Sequence, residues 1–237
     1  MPAGFYVRGE SGVTQIDENY KNLVMVGTLN VDTSETWVAG GAGLQVTAEF
    51  TVAGQEPVIA FRGRNGGNKG MLIYRRKISE GVFGFRLGTI SHSNVGFRVY
   101  IFDYPRMGDG TNVGLEVFDG QGAKTYDSDW PVMRVVDMFA VTNNEDFSPV
   151  VRYYDSGKLY AALMSTGAYT ARGAIIFVGS VYEYVDMGEG FYVSIDSNQV
   201  TSANNLVYQI IYPAGQTPSL YQIDNNVNVL ILDVTGY

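Results

Sequence analysis

Leu44-Gln45-Val46-Thr47-Ala48-Glu49-Phe50-Thr51-Val52 alternates apolar with polar or small residues through nine positions. Successive side chains of a strand point to opposite faces, so a period of two puts Leu44, Val46, Ala48, Phe50 and Val52 on one side. A helix would scatter those five around its axis, so the segment reads as a half-buried strand. Working outward, similar runs occupy Val58–Phe61, Met71–Tyr74, Val82–Leu87 and Phe97–Phe102, preceded by Gly4–Arg8 and Leu23–Val31. Beyond residue 110 come Gly114–Phe118, Met133–Val141, Lys158–Met164, Ala174–Val178, Phe191–Ile195, Leu206–Ile211 and Val227–Val234. Turn residues separate the runs, and no window of a dozen residues carries a helical stripe. Many short strands with regular turns predict an all-β chain built as a sandwich or barrel.

Composition agrees. Of 237 residues, 46% are hydrophobic and 17% charged, enough apolar surface for a real core. The 17 Tyr, 12 Phe and 29 Gly suit pleated surfaces and the turns between them. Net charge is −8, and the 16 Lys and Arg are spread along the chain. A phosphate-tracking surface needs them clustered, so nucleic acid is not an expected partner. With no cysteine, disulfides, thiolate metal sites and cysteine nucleophiles are excluded. The single histidine, His92, removes the usual His-based triads. No run approaches the roughly 18 apolar residues of a membrane helix, so no membrane insertion is expected. Met1-Pro2-Ala3-Gly4-Phe5 lacks the basic-then-apolar pattern of a signal peptide, so synthesis in the cytoplasm is expected.

The chain resembles itself. Displacing it by 110 positions sets residues 4–31 on 114–141 without a gap: Gly4, Val7, Gly12, Asp17, Val26 and Val31 meet Gly114, Val117, Gly122, Asp127, Val136 and Val141. Ile16 meets Tyr126, Tyr20 meets Trp130, and Leu23 meets Met133. Two further matches keep the order: Ile59–Gly63 with Ile175–Gly179, and Val99–Pro105 with Val207–Pro213. Such repetition predicts two tandem related β-sandwich-like units, 1–107 and 112–237, with 108–111 as a Gly- and Asp-rich linker. One large β-sandwich using similar hairpins is the alternative. The last strand, Val227–Val234, is the most apolar, which predicts a central place or pairing with another subunit.

Candidate chemistry is sparse. Arg62-Gly63-Arg64-Asn65-Gly66-Gly67-Asn68-Lys69-Gly70 looks at first like a phosphate cradle, but Asn68 separates Gly67 from Lys69 and a strand follows instead of a helix. It reads as a mobile hairpin tip whose Arg62, Arg64 and Lys69 can contact an acidic partner. The turn carboxylates Asp103, Asp109, Asp119, Asp127 and Asp129, and the group Glu183, Asp186 and Glu189, lack the Asp-x-Asp-x-Asp-Gly spacing of a calcium loop. Solvated turns are the simpler reading, ahead of a paired-carboxylate glycosidase. His92 sits in a turn. Tyrosines 153, 154, 160, 169, 182, 184, 192, 208, 212 and 221 crowd the second half and divide between core and recognition surface. No catalytic residue, cofactor or metal is expected.

Gly114-Leu115-Glu116-Val117-Phe118-Asp119-Gly120-Gln121-Gly122-Ala123-Lys124-Thr125-Tyr126-Asp127-Ser128 resembles a phrase common in small tail proteins of tailed bacteriophages, and Gly4 to Asp17 opens in the same manner. The resemblance covers the two opening hairpins and carries no catalytic or binding residue. It implies a non-enzymatic structural protein of the virion, at the tail tip, baseplate or fibre attachment region. Its expected partners are other tail proteins and copies of itself in a ring or trimer. A host-receptor or carbohydrate-binding module is the alternative, and a glycan hydrolase a remote one.

Overall fold

A computed structural model describes residues 6–8, 14–17, 22–39, 43–89, 94–106, 114–141, 149–165, 169–178, 181–212 and 227–237. Its side chains are described over 22–34, 46–89, 94–106, 114–141, 149–165, 192–202 and 227–237. The strands are β1 (Tyr6–Arg8), β2 (Thr14–Asp17), β3 (Val24–Asp32), β4 (Glu35–Ala39), β5 (Gly43–Ala53), β6 (Val58–Gly63), β7 (Lys69–Ser79), β8 (Val82–Thr89) and β9 (Gly96–Asp103). Then follow β10 (Glu116–Phe118), β11 (Lys124–Asp127), β12 (Val135–Val141), β13 (Val150–Tyr153), β14 (Tyr160–Met164), β15 (Tyr169–Val178), β16 (Val181–Asp196), β17 (Gln199–Tyr212) and β18 (Val227–Asp233). The fold is all-β: among the described residues every regular element is a strand.

Two antiparallel sheets pack as a β-sandwich. One runs β12-β18-β14-β6-β9-β3; the other runs β13-β17-β16-β7-β8-β5-β4, with β15 added to β16. Alternation sets the core. Ala48, Val52, Phe83, Phe85 and Leu87 from one sheet meet Ile59, Phe61, Phe97, Val99, Val229 and Ile231 from the other. Phe61 and Phe97 meet edge to face at 5.8 Å, and Phe50 stacks on Phe85 at 5.8 Å. Each fully buried Phe contributes about 1.5–3 kcal/mol relative to an exposed one. As its apolarity predicts, β18 is a central strand, between β12 and β14.

Both sheets draw strands from each side of residue 110, so one sandwich holds two related halves side by side. From the middle outward, the first sheet reads β6, β9, β3 on one side and β14, β18, β12 on the other. The second reads β7, β8, β5 and β16, β17, β13. Registers repeat as well. Tyr6, Val7 and Arg8 pair with Asp17, Ile16 and Thr14, with an irregularity after Val7. Glu116, Val117 and Phe118 pair with Asp127, Tyr126 and Lys124, irregular after Val117, each 110 positions on. Val31, Leu29 and Thr28 pair with Phe97, Val99 and Tyr100. Val141, Phe139 and Met138 pair with Val227, Val229 and Leu230, and the bulge between Met25 and Gly27 recurs between Val135 and Asp137. The halves meet edge to edge about this pseudo-two-fold: Ala162 pairs with Phe61, and Val193 and Ser194 pair with Gly70 and Lys69.

Two of the sequence matches do not survive. Residues 175–178 lie in β15 and 207–212 in β17, whereas their supposed counterparts, β6 and β9, lie in the opposite sheet. The topological partner of β9 is β18, where Val229, Ile231 and Asp233 repeat Val99, Ile101 and Asp103. Apolar alternation is common to every strand and does not encode which sheet receives it. The stretch 108–111 lies outside the described residues.

The outer face of the six-stranded sheet carries a second apolar cluster, Ala60, Tyr100, Phe102, Ala161, Leu232 and Val234. Leu23, Met25, Met133 and Tyr237 pack on it. The segments before β3 and β12 meet there: Val24 bridges Val132, Met25 N–H donates to Pro131 O (2.8 Å), and Met133 N–H to Leu23 O (2.8 Å). Leu23 and Met133, 110 positions apart, thus face each other near the pseudo-axis.

Candidate functional site

The structure does not bring Arg62, Arg64 and Lys69 together. The segment between β6 and β7 crosses from one sheet to the other, so it is no hairpin. Nor is it a loose tip. Arg64 N–H donates to Gly96 O (2.9 Å), Asn68 Nδ2 to Gly96 O (3.3 Å), and Gly67 N–H to Ile195 O (3.0 Å). Gly66 and Gly67 take φ of +74° and +62°, left-handed values that glycine reaches without the Cβ penalty. The local pattern showed the glycines but not their distant acceptors.

The cations go separate ways. Arg64 is ion-paired with Asp32 of β3. Lys69, in β7 of the eight-stranded sheet, has its Nζ 4.7 Å from the centre of the Tyr192 ring on neighbouring β16. Arg62 is directly opposite Arg98 in the β6–β9 ladder, both on the outer face, where Arg98 Nη1 donates to Asn30 Oδ1 (3.2 Å). The sequence reading missed Arg98; only the register, not linear spacing, sets it beside Arg62.

The turn carboxylates act as backbone caps. Asp103 is buried at the end of β9 and accepts N–H bonds from Gln55 (2.7 Å), Glu56 (2.9 Å) and Tyr104 (2.8 Å). Asp119 closes its own turn through Gln121 and Ala123 N–H (2.9 and 2.8 Å). Asp127 is buried in the β10–β11 hairpin. A hydrogen bond from Lys124 Nζ (2.8 Å) and one from Asp129 N–H (2.9 Å) hold its carboxyl below the ordinary value. The same contact, with Glu116, pushes Lys124 up. Burial works to raise Asp233, but the Thr235 N–H and hydroxyl, Arg134 and Lys158 outweigh it and leave the carboxyl low. Among the described residues, no three of His, Cys, Asp or Glu are grouped to hold a metal ion. Asp109 and His92 lie outside the described residues, as do the side chains of Glu183, Asp186 and Glu189 on β16.

Of the tyrosines, Tyr160 and Tyr192 are core. The Tyr154 hydroxyl donates to Asp137 Oδ2 (2.8 Å); burial, then that carboxylate, raises its pKa. The side chains of tyrosines 169, 182, 184, 208 and 212, and Tyr221 entirely, lie outside the described residues. Tyr153 is exposed on β13.

Tyr153 belongs to the surface the sequence reading overlooked. At one flank the six-stranded sheet ends on β12 and the eight-stranded sheet on β13. There Val135, Val136, Met138, Val151 and Tyr153 are 46%, 45%, 67%, 39% and 73% exposed. Their counterparts on β3, Met25, Val26 and Thr28, are only half-exposed, and that edge carries Asn30 and the Asp32–Arg64 pair. Among the described residues the apolar flank presents strand edges without a further partner strand, with amphipathic contact area beside them, the means of protein–protein association. Among the described residues no helix is long and apolar enough to cross a membrane. Comparisons of the chain with family models, with curated proteins and with solved structures match nothing.

Proposed function

We propose that the protein is a structural assembly component acting through protein–protein contacts, in the tail of a bacteriophage at the tip, baseplate or fibre attachment region. The observation that carries the assembly part is the flank of β12 and β13, where five large apolar side chains stand exposed beside two strand edges. Exposed apolar area gathered on sheet edges is a liability in a protein that works alone and an asset in one that docks. The tail assignment rests on the resemblance of the two opening hairpins, whose paired registers repeat at 110 positions. Mass spectrometry of particles purified from a lysate of the encoding phage tests it. The chain is expected at fixed stoichiometry with the other tail proteins, and its absence from intact particles defeats the virion reading.

A further inference from the structure

The geometry points to a two-fold dimer of this chain, formed by continuing both sheets across the β12–β13 flank of two copies. This deepens the assembly reading and rests on it only in assuming that the protein works through its surfaces.

Four observations converge. First, the chain already contains such a junction. At its middle, β6 meets β14 and β7 meets β16, antiparallel in both sheets, about a pseudo-two-fold that relates one half to the other. The repeated unit is therefore built to extend both sheets at once around an axis perpendicular to them. Second, the outer flank of the second half again ends both sheets at one place. Among the described residues β12 pairs with β18 alone and β13 with β17 alone. Third, the apolar side chains of that flank are those a continued sheet would cover: Val136, Met138 and Ala140 on β12, Val151 and Tyr153 on β13. Fourth, the charges permit it. In an antiparallel pairing centred on Met138, Met138 faces its own copy, Val136 faces Ala140, and Asp137 faces Phe139, so no two carboxylates are opposed. A two-fold axis makes any such strand complementary to itself.

At the opposite flank side chains are described on β3 and not on β4, and among those on β3 Leu29, at 36%, is the one exposed large apolar residue. The outer edge there, β3, carries Asn30 and Asp32, and Asp32 is neutralised within the chain by Arg64. One contact restrains the apolar edge: Asp137 Oδ1 accepts the Met138 N–H (2.8 Å) while Oδ2 holds Tyr154. Pairing exchanges the Met138 bond for one to the partner's carbonyl.

The chain has no cysteine, so a single introduced thiol reports the contact cleanly. Directly opposed residues in an antiparallel ladder have Cα atoms about 4.5–5.5 Å apart, within disulfide range. Met138→Cys in the full chain is expected to give a covalent dimer under mild oxidation. Asn228→Cys is the control, since Asn228 is exposed on β18, one strand in from the edge and beside Ala140, about 20 Å from its copy at a ~4.8 Å strand spacing and a ~3.4 Å rise per residue. Sedimentation of the unaltered protein is expected to give twice the 26.0 kDa chain mass. Met138→Lys, at a solvent-facing position, is expected to weaken association at least tenfold with an unchanged circular dichroism spectrum. A single-chain mass at every attainable concentration, or equal crosslinking at 138 and 228, overturns the dimer. A single-chain protein still found in purified particles sinks this inference and leaves the virion reading standing.

Discussion

Asp103→Ala is the most informative single substitution because it removes the acceptor for three backbone donors at once. The carboxylate is buried, and Gln55, Glu56 and Tyr104 give it N–H bonds of 2.7, 2.9 and 2.8 Å. Hydrogen bonds to a charged group are worth about 1.5–3 kcal/mol, and an orphaned donor costs about 1–3 kcal/mol. Residues Gln55, Glu56 and Tyr104 are themselves exposed, so water can recover part of each bond, and about 1 kcal/mol per donor is the appropriate scale. The sum is about 3 kcal/mol. For a chain of this size that lowers Tm by about 6–12 °C, at about 2–4 °C per kcal/mol. Asp103→Asn keeps one acceptor and turns an amide toward the remaining donors, so it is expected to fall between. A Cβ at Gly54 would intrude on Asp103 Oδ2, so Gly54→Ala displaces the same carboxylate from the other side. The two changes share one mechanism. The double variant is expected to be no less stable than Asp103→Ala alone, a coupling read from thermal or urea unfolding. A loss below about 0.5 kcal/mol for Asp103→Ala, or strictly additive losses in the double variant, would refute the capping argument.

Gly70 lies where the halves join, and an added Cβ would sit 2.7 Å from carbons of both Phe61 and Phe97, against about 3.5 Å for a relaxed carbon pair. Overpacking at about 1–3 kcal/mol, less about 0.4–1 from a stiffer unfolded chain, predicts a net loss of about 1–2 kcal/mol for Gly70→Ala in urea unfolding; a gain would contradict the packing. Asp127 and Asp233 titrate low in the folded state, so their stabilisation is present above the ordinary carboxyl range near pH 4 and is lost as pH falls through the folded values. The Tm gap between the native chain and Asp127→Asn is expected to narrow as pH falls below the ordinary carboxyl range near pH 4, and a gap independent of pH would dismiss the ion pair. Tyr237 packs on Phe102 (6.2 Å between centroids), under the Arg134 guanidinium (4.5 Å), with its hydroxyl on Val132 O. Tyr237→Ala is expected to cost about 2–3 kcal/mol and to speed hydrogen exchange at Met25 and Met133; unchanged exchange there would show that the Tyr237 ring does not hold the segments before β3 and β12 together.

Much of the fold was legible because strand periodicity is a local property. The run Leu44–Val52 became β5, with Ala48 and Val52 in the core, and the displacement of 110 positions located hairpins whose registers and bulges coincide. Sheet membership was not legible. Val207–Pro213 matched Val99–Pro105 more conspicuously than Val229–Asp233 did, yet only β18 shares the surroundings of β9. A usable signal was there: Val-x-Ile-x-Asp occurs at 99–103 and again at 229–233, and its Asp is a buried cap both times. The surroundings of the basic residues were illegible for a related reason. Arg62, Arg64 and Lys69 are adjacent in the chain, but a strand, a crossover and a second strand send them to different faces, and partners such as Asp32 and Tyr192 come from far away in sequence. The β12–β13 flank was hidden because β13 is only four residues long and an edge cannot be told from a centre without the pairing.

The repetition itself directs attention to what is not repeated. Positions that share a backbone register meet the same demands of pleat, twist and bulge, so folding alone gives no reason for their side chains to differ in kind. Inside the sandwich they do not: Val31 and Val141, Val99 and Val229, and Ile101 and Ile231 are identical pairs. At three outward positions near the two edges they diverge. Thr28 answers to Met138, Asn30 to Ala140, and Arg98 to Asn228, polar or basic in the first half and apolar or neutral in the second, whereas Gly27 answers to Asp137. The second half also carries β15, along with β16 and β17 of 16 and 14 residues, where β7 and β8 have 11 and 8. A scaffold that holds these core pairs constant while its two flanks differ is what the proposed assembly through one flank requires. Under the proposed assembly the apolar flank is the side expected to meet a partner, and the experiments at Met138 address that side directly.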